Sequence, residues 1–144
     1  MYLISACLIG ENCKYNGGNN LNIKAKELYD KGLVIPICPE QMGGLSTPRI
    51  PSEIVGDKVI MRDGKDVSFE FELGAQKALK IALDNNCKYA ILQARSPSCG
   101  SEYIYDGSFS NTLIKAQGKT AKLFHENGIK VLTIDQFLEG TYED

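Results

Sequence analysis

The chain has 144 residues, of which 43% are hydrophobic and 24% are charged, and its formal net charge is −2. This length and composition fit one soluble globular domain over residues 1–144. There is no basic excess to bind a nucleic-acid polymer, and no apolar run approaches the roughly 20 residues that a membrane span requires. The first residues show no signal-peptide pattern, so we expect a cytoplasmic protein without a membrane partner.

Short apolar runs alternate with helical patterns along the chain. In chain order, the first half of the chain is predicted to contain a strand at 2–6, a loop at 11–20, a helix over 22–31, a strand at 33–37, an irregular segment at 41–52 and a hairpin at 53–62. The second half is predicted to contain a helix over 68–85, a strand at 89–92, a helix over 118–126, a strand at 130–134 and a short helix from residue 135. The helix over 118–126 could begin as early as residue 111. Pro36 argues against a central position for the second strand. The alternation predicts a single-domain α/β fold with an open, mostly parallel sheet and helices on both faces, a Rossmann-like three-layer arrangement with a small hairpin added.

Three of the five cysteines follow predicted strands. Cys7 follows the first strand, Cys38 the second, and Cys99 lies in the loop after the third. Because ligands bind beyond the carboxyl ends of parallel strands, we predict that these thiols meet at one edge of the sheet. Three thiolates suit a soft metal or an iron–sulfur cluster, and a four-iron cluster held by three thiolates leaves one iron open as a Lewis acid. Unrelated buried thiols are the alternative.

The two other cysteines and the single histidine are weaker candidates. Cys13 lies in the polar loop at 11–20 and could reach the site as a further thiol. Cys87 stands at the entry of the third strand, where a structural role is expected. His125 is predicted to be exposed in the last turn of a helix, near its negative end. A closed structural zinc site would need a fourth Cys or His ligand.

Polar residues flank two of the three thiols. Glu40, two residues after Cys38, is a candidate general base toward water, or else a surface charge of the loop. The loop at 96–100 places the hydroxyls of Ser96 and Ser98 beside Cys99. Its backbone N–H groups could bind an anion or donate to sulfur, although a plain turn has the same composition.

Two further segments have open interpretations. Arg49 stands between two prolines, which restrict the backbone, and it could bind a substrate carboxylate or form an internal ion pair. Residues 105–109 carry a turn signal followed by a possible helix start, with Asp106 or Ser108 as the helix cap.

Five groups of motif residues follow one another along the chain: Ser5-Ala6-Cys7-Leu8-Ile9-Gly10, Cys38-Pro39-Glu40 with Gly43-Gly44-Leu45, Thr47-Pro48-Arg49-Ile50-Pro51-Ser52-Glu53, Ser96-Pro97-Ser98-Cys99-Gly100 and Tyr105-Asp106-Gly107-Ser108-Phe109. Taken together, they resemble the thiouracil desulfidase family, in the order in which that family carries them. The resemblance extends from residue 5 to about residue 134. Ser52 is a departure, because relatives often carry alanine there.

The resemblance implies an oxygen-sensitive [4Fe-4S] cluster bound by three cysteines, with one iron not ligated by the protein. The implied metal ligands are Cys7, Cys38 and Cys99, the catalytic residues Glu40 and Ser96, and the substrate-binding residues Pro39, Arg49 and Ser98. A ligand role for Cys13 is not implied.

The implied reaction is the desulfuration of a thiolated nucleobase such as 2-thiouracil, giving the oxo base and hydrogen sulfide by non-redox hydrolysis of the C–S bond. In this hypothesis the open iron would supply a Lewis acid toward the thiocarbonyl group, and Glu40 would activate water. The partners would be a small thiocarbonyl substrate and a possible sulfide acceptor. Two alternatives stay open: a non-catalytic iron–sulfur or zinc protein that senses or carries metal or sulfide, and a structural α/β domain with inert thiols.

Overall fold

The structure, a computed structural model, describes residues 1–140, so the last four residues of the predicted domain lie outside it. Within that range the backbone forms eight strands and five α-helices. The strands are β1 (Tyr2–Ser5), β2 (Val34–Ile37), β3 (Ser52–Val55), β4 (Lys58–Met61), β5 (Tyr89–Ile91), β6 (Tyr103–Tyr105), β7 (Leu113–Lys115) and β8 (Lys130–Leu132). The helices are α1 (Ile23–Asp30), α2 (Pro39–Met42), α3 (Ser68–Asp84), α4 (Lys119–Glu126) and α5 (Ile134–Glu139).

The four apolar runs predicted as strands form one parallel sheet in the order β2-β1-β5-β8. Leu3 of β1 lies beside Ile35 of β2 on one side and Ala90 of β5 on the other. The strands are mainly apolar because helices cover both faces of such a sheet. Pro36 is tolerated because β2 is an edge strand, which is where a residue without an N–H group is found in sheets.

Helices pack on both faces of the sheet, which confirms the predicted three-layer α/β fold. Neighbouring residues of a strand point to opposite faces, so Leu3 packs with α3 and α4 whereas Ile4 packs with α1. Phe124 of α4 is fully buried against the first of these faces. Burial of a side chain of this size contributes roughly 1.5–3 kcal/mol.

The predicted hairpin is present. β3 and β4 pair antiparallel around a turn that contains Gly56, which has a φ of +66°. Val59 and Met61 are buried from one face of this hairpin, together with Val67 and Phe71 at the start of α3. The hairpin thus has a small core of its own beside the parallel sheet.

A second hairpin is not predicted by the sequence. In this hairpin β6 pairs antiparallel with β7. All residues of β7 are exposed, and its sequence shows no alternation of apolar and polar residues that would predict a strand. The predicted helix start at 105–109 and the possible helix from residue 111 are therefore wrong, because α4 begins at Lys119. Asp106 caps no helix, and its carboxylate instead accepts the Ser108 N–H at 2.9 Å within the turn.

The segment predicted to be irregular from residue 41 begins inside α2. This helix has Pro39 at its first position. Proline is well tolerated there because the N–H group of a first helical residue has no hydrogen-bond partner within the helix. The rest of that segment, up to β3, carries no helix or strand. Among residues 1–140 no helix is both long enough and apolar enough to cross a membrane.

Candidate metal centre

The three cysteines that follow predicted strands lie at one edge of the sheet. Cys7 sits in a 3₁₀ turn after β1, Cys38 directly follows β2, and Cys99 lies in the loop after β5. These strands are parallel neighbours, so their carboxyl ends point to the same side. All three cysteines line one cavity of about 450 Å³. The structure thus brings the predicted thiols together, while their role as ligands stays a prediction.

The Cys38 segment is positioned by a close contact between α2 and α3. A Cβ atom on Gly43 would lie 1.9 Å from the Glu70 carbonyl oxygen, and one on Gly74 would lie 1.8 Å from the Pro39 carbonyl oxygen. Only glycine fits at both positions, because any side chain would separate the two backbones. This contact fixes α2, which places Cys38 and the next residues at the cavity.

Glu40 lies in α2 and forms an ion pair with Arg49. The Arg49 Nε donates to the Glu40 Oε1 at 3.1 Å, and the two side chains are only 5% and 19% exposed, respectively. Burial raises the pKa of the Glu40 carboxyl group, while the Arg49 charge and hydrogen bonds from Arg49 and Ser96 act against this rise. The carboxylate is therefore a stronger base than a surface glutamate.

Arg49 connects the Glu40 carboxylate to two loops. Its Nη1 donates to the Ser46 carbonyl and the Thr47 hydroxyl at 3.2 and 2.9 Å, and its Nη2 donates to the Cys13 carbonyl at 3.0 Å. Every guanidinium nitrogen thus has a protein acceptor. The internal ion pair considered for Arg49 is present. Because Arg49 also lines the cavity, its predicted role in substrate binding stays a prediction.

Ser96 links the Cys99 loop to Glu40. Its Oγ accepts the backbone N–H groups of Ser98 and Cys99, both at 3.0 Å, and its hydroxyl is hydrogen-bonded to the Glu40 carboxylate. Ser96 and Pro39 both line the cavity. The serine therefore holds the Cys99 loop and the carboxylate in a fixed relation.

Ser98 is not among the residues that line the cavity, and the substrate-binding role predicted for it stays a prediction. Its side chain is 1% exposed, and its hydroxyl lies 2.7 Å from the Thr120 hydroxyl of α4. Its carbonyl accepts the Thr120 and Ala121 N–H groups at 2.8 and 3.1 Å. Ser98 thus attaches the Cys99 loop to α4, and a sequence pattern cannot show which of two serines in a tight loop points inward.

Cys13 is the residue that sequence reasoning left open and the structure brings into the site. It lines the cavity, is 5% exposed, and its thiol is hydrogen-bonded to those of Cys7 and Cys38. These hydrogen bonds raise the pKa of Cys13. They are also the main cause of the lowered pKa of Cys7 and of the pKa of Cys38, which is lowered to about 7. Burial raises the pKa of Cys99 to about 12. Cys13 thus adds a fourth thiol to the cavity that Cys7, Cys38 and Cys99 line.

Cys87 and His125 are not among the residues that line the cavity. Cys87 is 4% exposed at the entry of β5, and His125 is exposed in the last turn of α4, as predicted for both. Among residues 1–140 no three His, Cys, Asp or Glu side chains are arranged to hold a single metal ion. Thiols from three separate loops around one cavity fit an iron–sulfur cluster, in which each thiolate binds a different iron.

Glu53 is a second buried carboxylate on the cavity wall. Its Oε1 accepts the backbone N–H groups of Gly107 at 3.0 Å and Phe109 at 3.1 Å, which joins the loop between β6 and β7 to β3. Arg62 completes this wall with its guanidinium 5.5 Å from the Phe109 ring centre. The sequence analysis assigned no role to Glu53, although its position at the end of the motif at residues 47–53 is a signal that could have identified it.

Comparison with known proteins shows the family of the chain. The profile of the family described as 2-thiouracil desulfurase matches residues 2–136. The protein YbbK of Bacillus subtilis (strain 168), described as uncharacterized, is 39% identical over 143 residues, which cover 92% of this chain and 95% of YbbK. The solved structure of the [4Fe-4S]-dependent thiouracil desulfidase TudS superposes with a TM-score of 0.91 at 38% identity, over 96% of this chain and 93% of TudS. The chain therefore belongs to the 2-thiouracil desulfurase family.

Proposed function

We propose that this protein is an enzyme that removes sulfur from a thiolated nucleobase such as 2-thiouracil. The reaction consumes one water molecule, breaks the C–S bonds of the thiocarbonyl group, forms the carbonyl of the oxo base and releases hydrogen sulfide. No oxidant or reductant is needed. Membership of the family and the likeness to a [4Fe-4S]-dependent thiouracil desulfidase support this proposal.

Cys7, Cys38 and Cys99 would hold a [4Fe-4S] cluster. The cluster, when bound, would supply a Lewis acid toward the thiocarbonyl sulfur through an iron that carries no protein ligand. The lowered pKa values of Cys7 and Cys38 favour the thiolate forms that iron requires. Cys99 is held by its N–H bond to Ser96, which presents its sulfur to the same cavity.

Glu40 is the group proposed to accept a proton from the attacking water. Its carboxylate lines the cavity, and burial gives it a higher pKa than a surface glutamate, which suits a base. Arg49 and Ser96 fix its orientation through hydrogen bonds. A water molecule beside Glu40 would thus be deprotonated as it attacks the carbon that loses sulfur.

One observation supports this assignment above the others: Ser96 joins the proposed base to a proposed ligand. The Ser96 hydroxyl is hydrogen-bonded to the Glu40 carboxylate, and its oxygen accepts a hydrogen bond from the Cys99 N–H. A protein that only stored or sensed a cluster would need the thiols but not this carboxylate beside them. The arrangement favours catalysis over the non-catalytic alternative.

The test is anaerobic reconstitution followed by incubation with 2-thiouracil. We expect the wild-type protein to bind about four irons and four acid-labile sulfides per chain and to release sulfide and uracil in equal amounts. Glu40→Ala should keep the cluster absorbance and lose turnover, whereas the matched surface variant Glu72→Ala should keep both. A Glu40→Ala variant as active as wild type would remove Glu40 from the mechanism, and a colourless zinc-containing wild type would favour the alternative.

A further inference from the structure

We propose that Asn20 is a positioning residue of the metal centre: its side-chain amide donates a hydrogen bond to the Cys7 sulfur and thereby raises the reduction potential of a cluster bound through that sulfur. This role rests on the proposed function only in requiring that Cys7 is a cluster ligand. The proposed reaction itself makes no use of Asn20.

Asn20 contacts Cys7 at two points. Its Nδ2 donates a hydrogen bond to the Cys7 sulfur at 3.5 Å, and its backbone N–H donates to the Cys7 carbonyl at 2.9 Å. Both residues line the cavity, and Cys7 is only 7% exposed. Asn20, at the far end of the loop that follows Cys7, thus contacts both the backbone and the sulfur of a proposed ligand.

The start of α1 fixes the backbone that carries Asn20. The Asn22 N–H donates to the Leu8 carbonyl at 2.9 Å, and the Asn22 side chain accepts the Ala25 N–H at 3.1 Å as the N-cap of α1. Cys7 in turn lies in a 3₁₀ turn whose residues are all buried. The amide donor and the sulfur therefore belong to two segments that backbone hydrogen bonds hold together.

The chemistry of a cluster ligand suits this donor. A cysteine binds iron as a thiolate, which has no proton and can only accept hydrogen bonds. A hydrogen bond to an ionised acceptor is roughly twice as strong as one between neutral groups. The asparagine amide supplies two N–H donors without a charge of its own. Binding of iron by Cys7 should therefore strengthen the contact with Asn20.

A hydrogen bond to a ligand thiolate withdraws electron density from the sulfur and from the iron that it binds. The reduced cluster carries one more negative charge than the oxidised cluster, so a donor stabilises the reduced form more and raises the reduction potential. Loss of the donor should shift the potential to more negative values. A substitution that only loosened the loop would admit water, which favours the more highly charged reduced form and shifts the potential in the opposite direction. The sign of the shift separates the two roles.

The experiment compares Asn20→Leu and Asn20→Asp with the matched controls Asn12→Leu and Asn12→Asp in anaerobically reconstituted protein. Asn12 lies in the same loop, is exposed and is not among the residues that line the cavity. Its side chain accepts a hydrogen bond from the exposed Asn19. Iron and acid-labile sulfide are counted, and the cluster potential is measured by a redox titration followed by electron paramagnetic resonance.

We expect wild-type iron content in all four variants. Leucine is close to asparagine in size but has no donor, so Asn20→Leu should shift the potential to more negative values. Asn20→Asp should shift it further, because an ionised carboxylate adds negative charge beside the sulfur. Asn12→Leu should leave the potential unchanged, and Asn12→Asp should shift it less than Asn20→Asp.

Several outcomes would overturn this role. An unchanged or more positive potential in Asn20→Leu would do so, as would an equal shift in Asn12→Leu. Loss of iron from Asn20→Leu, with an unchanged circular dichroism spectrum, would show that Asn20 is needed to bind the cluster and does not merely tune it. If Asn20→Leu did not fold, the potential of Asn20→Asp would decide, and failure of both to fold would show a structural role only.

These outcomes are separable from those for the proposed function. A wild-type protein that binds its cluster but releases no sulfide from thiocarbonyl compounds contradicts the reaction and leaves the potential shift to be measured. An active wild type with no shift in Asn20→Leu contradicts the role of Asn20 alone. A wild-type protein that binds no cluster contradicts both.

Discussion

Two regions of the molecule line the same cavity with a buried carboxylate but use it differently. At the edge of the parallel sheet, Glu40 forms an ion pair with Arg49, and burial raises the pKa of the Glu40 carboxyl group. On the hairpin side, Glu53 accepts two backbone N–H groups from the loop after β6. We therefore expect a structural role for the Glu53 carboxylate, which backbone donors hold, and a chemical role for the Glu40 carboxylate, which an arginine and a serine hold beside three thiols. Substitutions in the two regions should therefore differ in kind.

The largest effect is expected at the proposed ligands. Cys38→Ala removes a sulfur from the edge of the sheet, and loss of even an outer partner of a metal ligand typically costs 10–100-fold, so the loss of activity should exceed about 100-fold. The measurement is iron content and sulfide release after anaerobic reconstitution. Cys87→Ala, which removes a buried cysteine away from the cavity, is the control and should keep both. Full iron binding by Cys38→Ala would contradict the ligand assignment.

The second largest effect on activity is expected for Glu40→Gln. The amide keeps the shape of the side chain but accepts no proton, and loss of a general base typically lowers the rate roughly 10²–10⁴-fold. We expect the cluster absorbance to stay at the wild-type level, measured on the same sample as kcat. A fall in iron content that matches the fall in activity would instead make Glu40 part of the cluster site.

Arg49→Met should have an intermediate effect on activity and a clear effect on stability. It leaves the Glu40 carboxylate buried without its partner, and breaking such a pair costs about 3–5 kcal/mol when both groups are fully buried, so somewhat less is expected here. The pKa of Glu40 should rise further, so the increase of activity with pH should move to higher pH. Urea unfolding and a pH–rate profile measure the two effects.

The double variant Arg49→Met with Glu40→Gln provides the control for this pair. If the ion pair is the reason for the loss of stability, the double variant should lose less free energy of unfolding than the sum of the single variants. Strict additivity would show that the two side chains do not interact.

The smallest effect is expected for Glu53→Gln. The amide oxygen can still accept the Gly107 and Phe109 N–H groups, so activity should fall less than about tenfold, in contrast to Glu40→Gln. Glu53→Ala removes the acceptor and should lower the free energy of unfolding by about 1–3 kcal/mol. Thermal unfolding and kcat on 2-thiouracil measure both variants. A loss in Glu53→Gln as large as that in Glu40→Gln would abolish the distinction between the two regions.

The sheet region could be predicted from the sequence because its signals are local and strong. Apolar runs identify buried strands, and parallel strands bring the residues that follow them to one edge. Cys7, Cys38 and Cys99 could be placed together on this basis alone. An internal ion pair is one of two interpretations that the sequence leaves open for Arg49, and it does not identify Glu40 as the partner, because a sequence does not reveal the path of the loop that joins them.

The hairpin side and the position of Cys13 could not be predicted for a different reason. Leu113, Ile114 and Lys115 are all exposed, so β7 depends on pairing with β6 and not on a pattern of its own. Cys13 reaches the cavity because contacts with distant residues such as Arg49 fix its loop. Such long-range contacts leave no periodic signal in the chain.

In the proposed reaction, water replaces sulfur on the substrate at a cluster-dependent site. The most direct measurement incubates anaerobically reconstituted protein with 2-thiouracil in ¹⁸O-labelled water and analyses sulfide and the uracil product by mass spectrometry. We expect one ¹⁸O atom in each uracil, one sulfide for each uracil, and neither product from protein without its cluster. Unlabelled uracil, or equal turnover by cluster-free protein, would contradict it.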